Sequence, residues 1–597
     1  MISYPGYQSR FSQWMLLGWL AWFQCLGDCS AVPDAGKETS SQAAVSENDR
    51  IWAGPEVTRS FMPAQKTMAD YVPAAHEGDP QAQFVLGVFY DLGTPSNPAE
   101  AVKWYRKAAD QGLKQAQYKL GDCYANGRGV PRDDAAAVIW LRKAADQQYP
   151  PAQNDLGQLY DKGRGVQQDH VEAMRLYRLA ADQNFKLAQY SLGFSYALGE
   201  GVPQDFAEAN KWWRKAAEQG LPYAQVNLGS SYLKGRGMKQ DVPEAARWYR
   251  LAADRGLAIA MCNLAICYSL GKGMDRNPAE AFRLLRKSAE MGYASAQGLL
   301  SEMYRVGDGV EKNLAEALKW NLRAAEQGSP EACGQMGYFY SVGEGVPKDV
   351  VEAAKWFRKS AELGDNRAQN HMGVLYARGI GVPQSYTEAI SWYRKAADQG
   401  VVEACEHLGD LYNNDTNVPR NYEEAAKWYR KGAELDDCVC QRALGILYEL
   451  GRGVPQSYIE AANWYRKAAD HGMALAQANL GYLYMTGKGV PLDIAIGIGL
   501  FQKAANSGNP QSQSLLGSCY EDGNGVQQDL AEAYKWYTLA AKQGESTAAM
   551  MRQRLMSRLS FQHMSDGLHR AEQFRPTPVV VKRPPAPYPA MRLTPIQ

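Results

Sequence analysis

No sign of charge dominates this chain. Lys plus Arg number 65 and Asp plus Glu 64, so no long-range field favours nucleic acid or an anionic membrane. Nucleic-acid binding would need a local basic stripe, and the charges alternate in sign along the chain. Catalytic signatures are missing too. There is no Gly-x-Ser-x-Gly elbow, no His-Glu-x-x-His pair, no phosphate loop and no calcium loop. One Ser-x-x-Lys match exists at Ser231 and Lys234, but its partner motifs Ser-Asp-Asn and Lys-Thr-Gly are absent. Long apolar runs are absent apart from residues 14–23, and that run is short of the ~20 residues a spanning helix needs. It follows Arg10 and precedes the small residues Cys29, Ser30 and Ala31, the pattern of a secretory signal peptide. The expectation is an exported protein (periplasmic, secreted, or in the ER lumen of a eukaryote) with no membrane span once residues 1–31 are removed. An uncleaved anchor is the alternative. Asp28 speaks against a lipid anchor on Cys29.

What the chain has is a period. Tyrosine recurs at 90, 124, 160, 196, 232, 268, 304, 340, 376, 412, 448, 484 and 520, in steps of 36 residues except for a first step of 34. Fixed spacing of this length marks a solenoid, in which one supersecondary unit is copied and stacked. In the copy that starts at Ala188, apolar or small residues fall at Ala188, Leu192, Ser195 and Tyr196. That spacing is one helix face. Gly199, Gly201 and Pro203 then break the helix. Ala209, Trp212, Trp213, Ala216 and Ala217 make a second amphipathic helix, and Gly220 suits its C′ position.

Most second helices open on a polar residue with Glu three places on, as at Asp205 and Glu208 or Asn277 and Glu280. This is capping-box spacing, in which each side chain satisfies the other's orphan amide. The recurrence marks these acids as caps rather than catalytic carboxylates. A small residue precedes each tyrosine by three, as at Gly87 and Gly157, with Ala265 and Ser301 as the non-glycines. Trp104, Trp212, Trp248 and their equivalents form a second aromatic row. The Gly, Tyr and Trp rows together are expected to be the internal spine, because buried aromatics dominate core area.

The recurring string Ala-Gln-x-x-Leu-Gly-x-x-Tyr, then Gly-x-Gly-Val-Pro-x-Asp, then Ala-x-x-Trp-Tyr-Arg-Lys-Ala-Ala-x-x-Gly resembles the Sel1-like repeat, a relative of the tetratricopeptide repeat. The resemblance implies an all-α protein: an α/α superhelical solenoid of about 13 Sel1-like repeats with terminal helical caps, whose concave side binds proteins or peptides. The expected organisation is a signal peptide over 1–31, a flexible linker over 32–63 and an N-terminal half-repeat cap over 64–81. Thirteen repeats follow over 82–547, then a C-terminal capping helix over 548–574 and a basic, proline-rich, disordered tail over 575–597.

Cysteine-rich relatives of this family link the two helices of a repeat with a pair in each copy. Here most copies have one cysteine or none. Cys123, Cys267 and Cys519 read as small core residues. One bridge is left open, Cys405 to Cys438 or Cys440 in the adjacent repeat. Cys405, His407, Cys438 and Cys440 do not have the ligand spacing of a structural zinc site, and His371 and His407 read as single exposed histidines.

The expected function is a non-enzymatic scaffold or adaptor with no catalytic residue, cofactor or metal, whose partner is a protein or peptide and not nucleic acid. The position two before each tyrosine varies most, and a row that neither packs nor caps is free to specify a ligand. It includes Asp122, Gln158, Phe194, Ser230, Glu302, Tyr338, Asp410 and Tyr482. Two alternatives rest on analogy alone. One is binding of cell-wall fragments or penicillins with weak β-lactamase-like hydrolysis; the other is a regulatory subunit of a membrane-associated complex.

Overall fold

The computed structural model describes residues 67–93, 95–414 and 418–577. The expected signal peptide and linker lie outside the described residues, as do all but the first three residues of the proline-rich tail. All regular structure among the described residues is helical, and no helix there is long and apolar enough to cross a membrane. From Pro80 to Lys542 the chain forms 26 helices of 13 residues each, two per period. First helices (such as Lys186–Leu198) pack against their own second helix (Phe206–Glu218), and second helices pack against the next first helix. The chain is an all-α solenoid. It divides into two compact units, one ending at Met336 and one beginning at Gly337.

The loop inside each hairpin is fixed at both ends. Gly199 closes the first helix with φ +78°, a left-handed cap that favours glycine. The backbone amide of the N-cap residue Asp205 then donates to the Tyr196 carbonyl at 2.8 Å. Every full repeat with a described loop makes this bond, and in the shortened first copy Asn97 donates to Tyr90 at 2.7 Å. The bond explains why the expected reciprocal capping box is only half made. Asp205 Oδ1 does accept from the Glu208 amide at 3.0 Å, but its own amide is already taken. Glu208 turns forward instead and accepts from Lys211 at 2.6 Å.

The second loop glycine does a different job. A side chain at Gly129 or Gly165 would collide with the carbonyl of Pro98 or Asp134, the first residue of the preceding repeat's second helix. Each loop therefore sits on the start of the helix behind it.

The internal spine is the expected one in its glycine and tryptophan rows, but not in its ladder tyrosines. The small-residue row faces the residue after each tryptophan: a Cβ on Gly87 would lie 2.6 Å from Tyr105, on Gly229 2.8 Å from Tyr249 and on Gly517 2.8 Å from Tyr537. Those rings are buried. Most of the tryptophans are buried as expected, among them Trp104, Trp212, Trp248 and Trp536, with a cation one turn on over the ring, as Lys107 4.1 Å from Trp104 and Lys215 3.9 Å from Trp212. The ladder tyrosines are mostly half-buried. Most take a hydrogen bond on the hydroxyl from an arginine of the preceding repeat, as from Arg178 to Tyr196 (2.7 Å), Arg214 to Tyr232 (2.6 Å) and Arg430 to Tyr448 (2.7 Å); Leu322 and Gln502 stand where that arginine would serve Tyr340 and Tyr520. The period that stands out in the sequence is thus mostly an inter-repeat fastening, and the side chain that meets the glycine row is the one after the tryptophan position.

The glutamine that follows most of the opening alanines is a second fastening. Gln117 donates to the Ala109 carbonyl at 3.2 Å and accepts from Gln147 at 2.7 Å. At the chain ends, Val72–His76 precedes the first full hairpin, with His76 edge-on to Trp104 at 5.3 Å. The C-terminal segment, expected as one helix, is two: Ser546–Met556 and Phe561–Gln573. The second folds back on Leu530–Lys542, where Gly567 allows contact with Ala531 and Tyr534.

Candidate functional site

The row two before each tyrosine lies on the first helices, where it meets the hydroxyl ends of the buried rings and its own helix neighbours. It does not behave as one row. In the first unit Asp122, Ser230 and Glu302 are buried. Asp122 pairs with buried Lys119 at 3.6 Å. Ser230 is 3.1 Å from the Tyr249 hydroxyl. Glu302 accepts two hydrogen bonds from Arg305, at 2.7 and 2.6 Å, and one from Gln335 at 3.2 Å. The premise that this row neither packs nor caps does not hold for these three. Gln158 and Phe194 are half-buried, with Phe194 edge-on to Tyr190 and Trp213.

Beside Asp122 lies a buried polar network. Tyr118 donates to Asp155 Oδ2 at 2.9 Å and Asn154 to Oδ1 at 2.9 Å. Burial, with Asp122 nearby, pushes the Asp155 carboxyl up to about 7, and burial pushes the Tyr118 phenol up as well.

In the second unit the same row opens. Tyr338 is half-buried, while Asp410 and Tyr482 are exposed. Asp410 borders a groove of about 440 Å³ with Val374, from the same row, and with Arg378, Tyr393, His407, Leu411 and Asn414. One wall is fixed from behind, because the Tyr429 hydroxyl donates to Asp410 at 2.6 Å. The groove combines an aromatic ring, an aliphatic wall, a guanidinium and a carboxylate.

His371 and His407 are not exposed, contrary to expectation. Each lies against a buried ring, with centroids 4.3 Å apart for His371 and Phe357 and 5.0 Å for His407 and Tyr393. Burial lowers both imidazoles, His371 to about 4.

The bridge left open at Cys405 is not formed: Cys405, Cys438 and Cys440 are buried free thiols. The physical reason lies at Gly432, which stands where the other repeats have Ala or Ser. The missing side chain leaves room that Cys440 and Cys405 fill as packing atoms, and burial pushes the Cys405 thiol up to about 11. Ser231, the serine of the Ser-x-x-Lys match, is buried within the helix Pro222–Lys234.

The sequence held an unused signal for the spine. The two non-glycines of the small-residue row, Ala265 and Ser301, stand opposite the non-aromatic residues Leu285 and Asn321, 20 positions on. Where no ring arrives, a glycine is not required.

Comparison with known proteins agrees with this architecture. The Sel1 repeat matches thirteen times, continuously over residues 80–437 and again over 439–545. A solved structure of c5321, a protective antigen of uropathogenic Escherichia coli with an SLR fold, is 31% identical, covers 85% of this chain and 94% of its own, and has a TM-score of 0.43. A Sel1 repeat protein from Oxalobacter formigenes is 33% identical over 53% of this chain and 94% of its own, with a TM-score of 0.41. Among curated proteins, an F-box protein of Arabidopsis thaliana is 41% identical over 66 residues, and the match spans only 19% of that protein's length. With the family's repeat matched over most of its length, the chain belongs to the Sel1 repeat family.

Proposed function

We propose that this chain is an exported, non-enzymatic scaffold that holds a protein or peptide along the first-helix face of its second unit. The observation that carries the reading is the groove at Val374, Tyr393, His407 and Asp410, into which the variable row contributes two side chains, with Asp410 and Tyr482 exposed further along the same row. Sel1 repeats are protein-binding units, and variable side chains on a repeated frame suit that use. Export rests on the apolar segment 14–23 after Arg10. The test is affinity capture from the native host with wild type and with the double variant Asp410→Lys, Tyr482→Ala. The expected result is loss of the captured partner with the melting temperature lowered by no more than a few degrees, the size of shift that about 1 kcal/mol produces. Undiminished capture by the variant would reject the groove as the binding site.

A further inference from the structure

We infer that Asp161, His170 and Glu200 form a binding site for one divalent first-row transition-metal ion, with Zn²⁺ the natural probe, joining the third repeat to the fourth. The ligating atoms of the three side chains lie within 4.8 Å of one another. His170 Nδ1 is 2.6 Å from Asp161 Oδ1.

The repeat itself supplies the control. The same three positions recur in every copy: the residue after the ladder tyrosine, the first residue of the second helix, and the residue between the next repeat's loop glycines. In the first copy they are Asp91, Pro98 and Arg128, and Arg128 pairs with Asp91 at 2.6 Å. In the second they are Ala125, Asp134 and Arg164, and Arg164 pairs with Asp134 at 2.8 Å. In the fourth they are Ala197, Phe206 and Arg236, with the guanidinium 5.7 Å from the Phe206 ring. Each of these copies brings its own cation to the spot. The third copy brings a carboxylate there, Glu200, to face the carboxylate of Asp161, and places an imidazole between the repeats. Like charges held this close raise each other's energy unless a cation joins them.

The frame holds these groups in place. Gly201 seats on the backbone of His170, where a side chain would clash, and this fixes the adjacent Glu200. The Tyr177 hydroxyl faces Asp161 Oδ2 at 3.5 Å, which leaves Oδ1 turned toward His170. Outer partners of this kind orient metal-binding carboxylates. One imidazole nitrogen with two carboxylates is a borderline donor set. It suits zinc and its first-row neighbours better than calcium or magnesium, which take oxygen alone. Three protein ligands leave a coordination position for water.

The test uses the full chain and two variants that borrow residues from sister repeats, Glu200→Arg and His170→Phe. Both should fold, because Arg236 and Phe206 already occupy those positions in the fourth copy. Titration of wild type with Zn²⁺ is expected to show one tight equivalent and a rise in melting temperature. Glu200→Arg should abolish both while matching or exceeding the melting temperature of metal-free wild type. His170→Phe should weaken binding by more than the roughly 10–100-fold that follows loss of an outer-shell partner. With Co²⁺ in place of zinc, the wild-type spectrum should show weak visible bands of nitrogen and oxygen ligation. An intense near-ultraviolet thiolate band would place the metal on the buried cysteines and overturn the proposal. So would zinc binding by Glu200→Arg equal to that of wild type.

Discussion

The two units are built from one repeat, yet they treat the same surface position in opposite ways. In the first, Asp122, Ser230 and Glu302 are drawn inside and bound to internal partners. In the second, Asp410 and Tyr482 remain outside, and Asp410 edges a groove. The frame is common to both: the glycine-to-ring contacts, the arginine-to-tyrosine bonds and the loop caps recur on each side of Gly337. What differs is the residue type around the row. Lys119 and Asp155 bring charge into the first unit, and His371 and His407 occupy the same register in the second. A position's role in a solenoid is therefore set by the residues packed around it, mostly in its own repeat, and not by its place in the repeat alone.

The sharpest test of that contrast is one substitution made twice. Asp122→Lys should cost about 3–5 kcal/mol, because it leaves Lys119 buried beside a second cation. Asp410→Lys should cost about 1 kcal/mol, the worth of its one hydrogen bond from Tyr429. Chemical denaturation followed by hydrogen exchange in each unit measures both, and equal costs would break the comparison.

Acid should separate the units next. Asp155 is held at about 7 in the fold, against ~4 in an unfolded chain. Between these values the folded state keeps a proton that the unfolded state has lost, so stability there falls as pH rises from about 4 to about 7. His371 is held at about 4, against ~6.5 unfolded. Its contribution is present above about 6.5 and is lost as pH falls toward 4. Hydrogen exchange corrected for intrinsic rates, compared at about pH 5 and about pH 7.5, should show opposite shifts in the helices Pro150–Lys162 and Asn366–Arg378. Shifts of one sign in both helices would refute the assignment.

The smallest expected effect concerns two residues with left-handed backbone, Gln148 (φ +57°) and Asp436 (φ +68°). Gln148→Gly should raise stability by about 1 kcal/mol, because glycine relieves the left-handed strain. Asp436→Gly should not, because Asp436 also accepts from Gln441 at 3.0 Å and pairs with His471 at 2.9 Å. Thermal melts of the two variants should move in opposite directions.

Much of the hairpin was legible in the sequence, because loop glycines, caps and helical spacing are local. The spine was read in part. Trp212 and Trp213 are adjacent, aromatic and both buried, and only the three-dimensional partner of Gly193 shows that Trp213 is the one packed against it. The break into two C-terminal helices at residues 557–560 was not legible, since no proline or glycine marks it. Asp161, His170 and Glu200 were invisible for another reason: they are 39 residues apart from end to end and meet only when one repeat's loop lands on its neighbour's helix.

That landing also gives the molecule a polarity. The second loop glycines from Gly129 to Gly309 and from Gly381 to Gly525 meet the helix behind them. Trimming repeats from the C-terminal side uncovers a helix start, which water can solvate. Trimming from the N-terminal side strands a loop whose conformation existed to clear a backbone no longer there. Shortened forms of equal length are therefore not equivalent, and the array tolerates loss of its last repeat better than loss of its first.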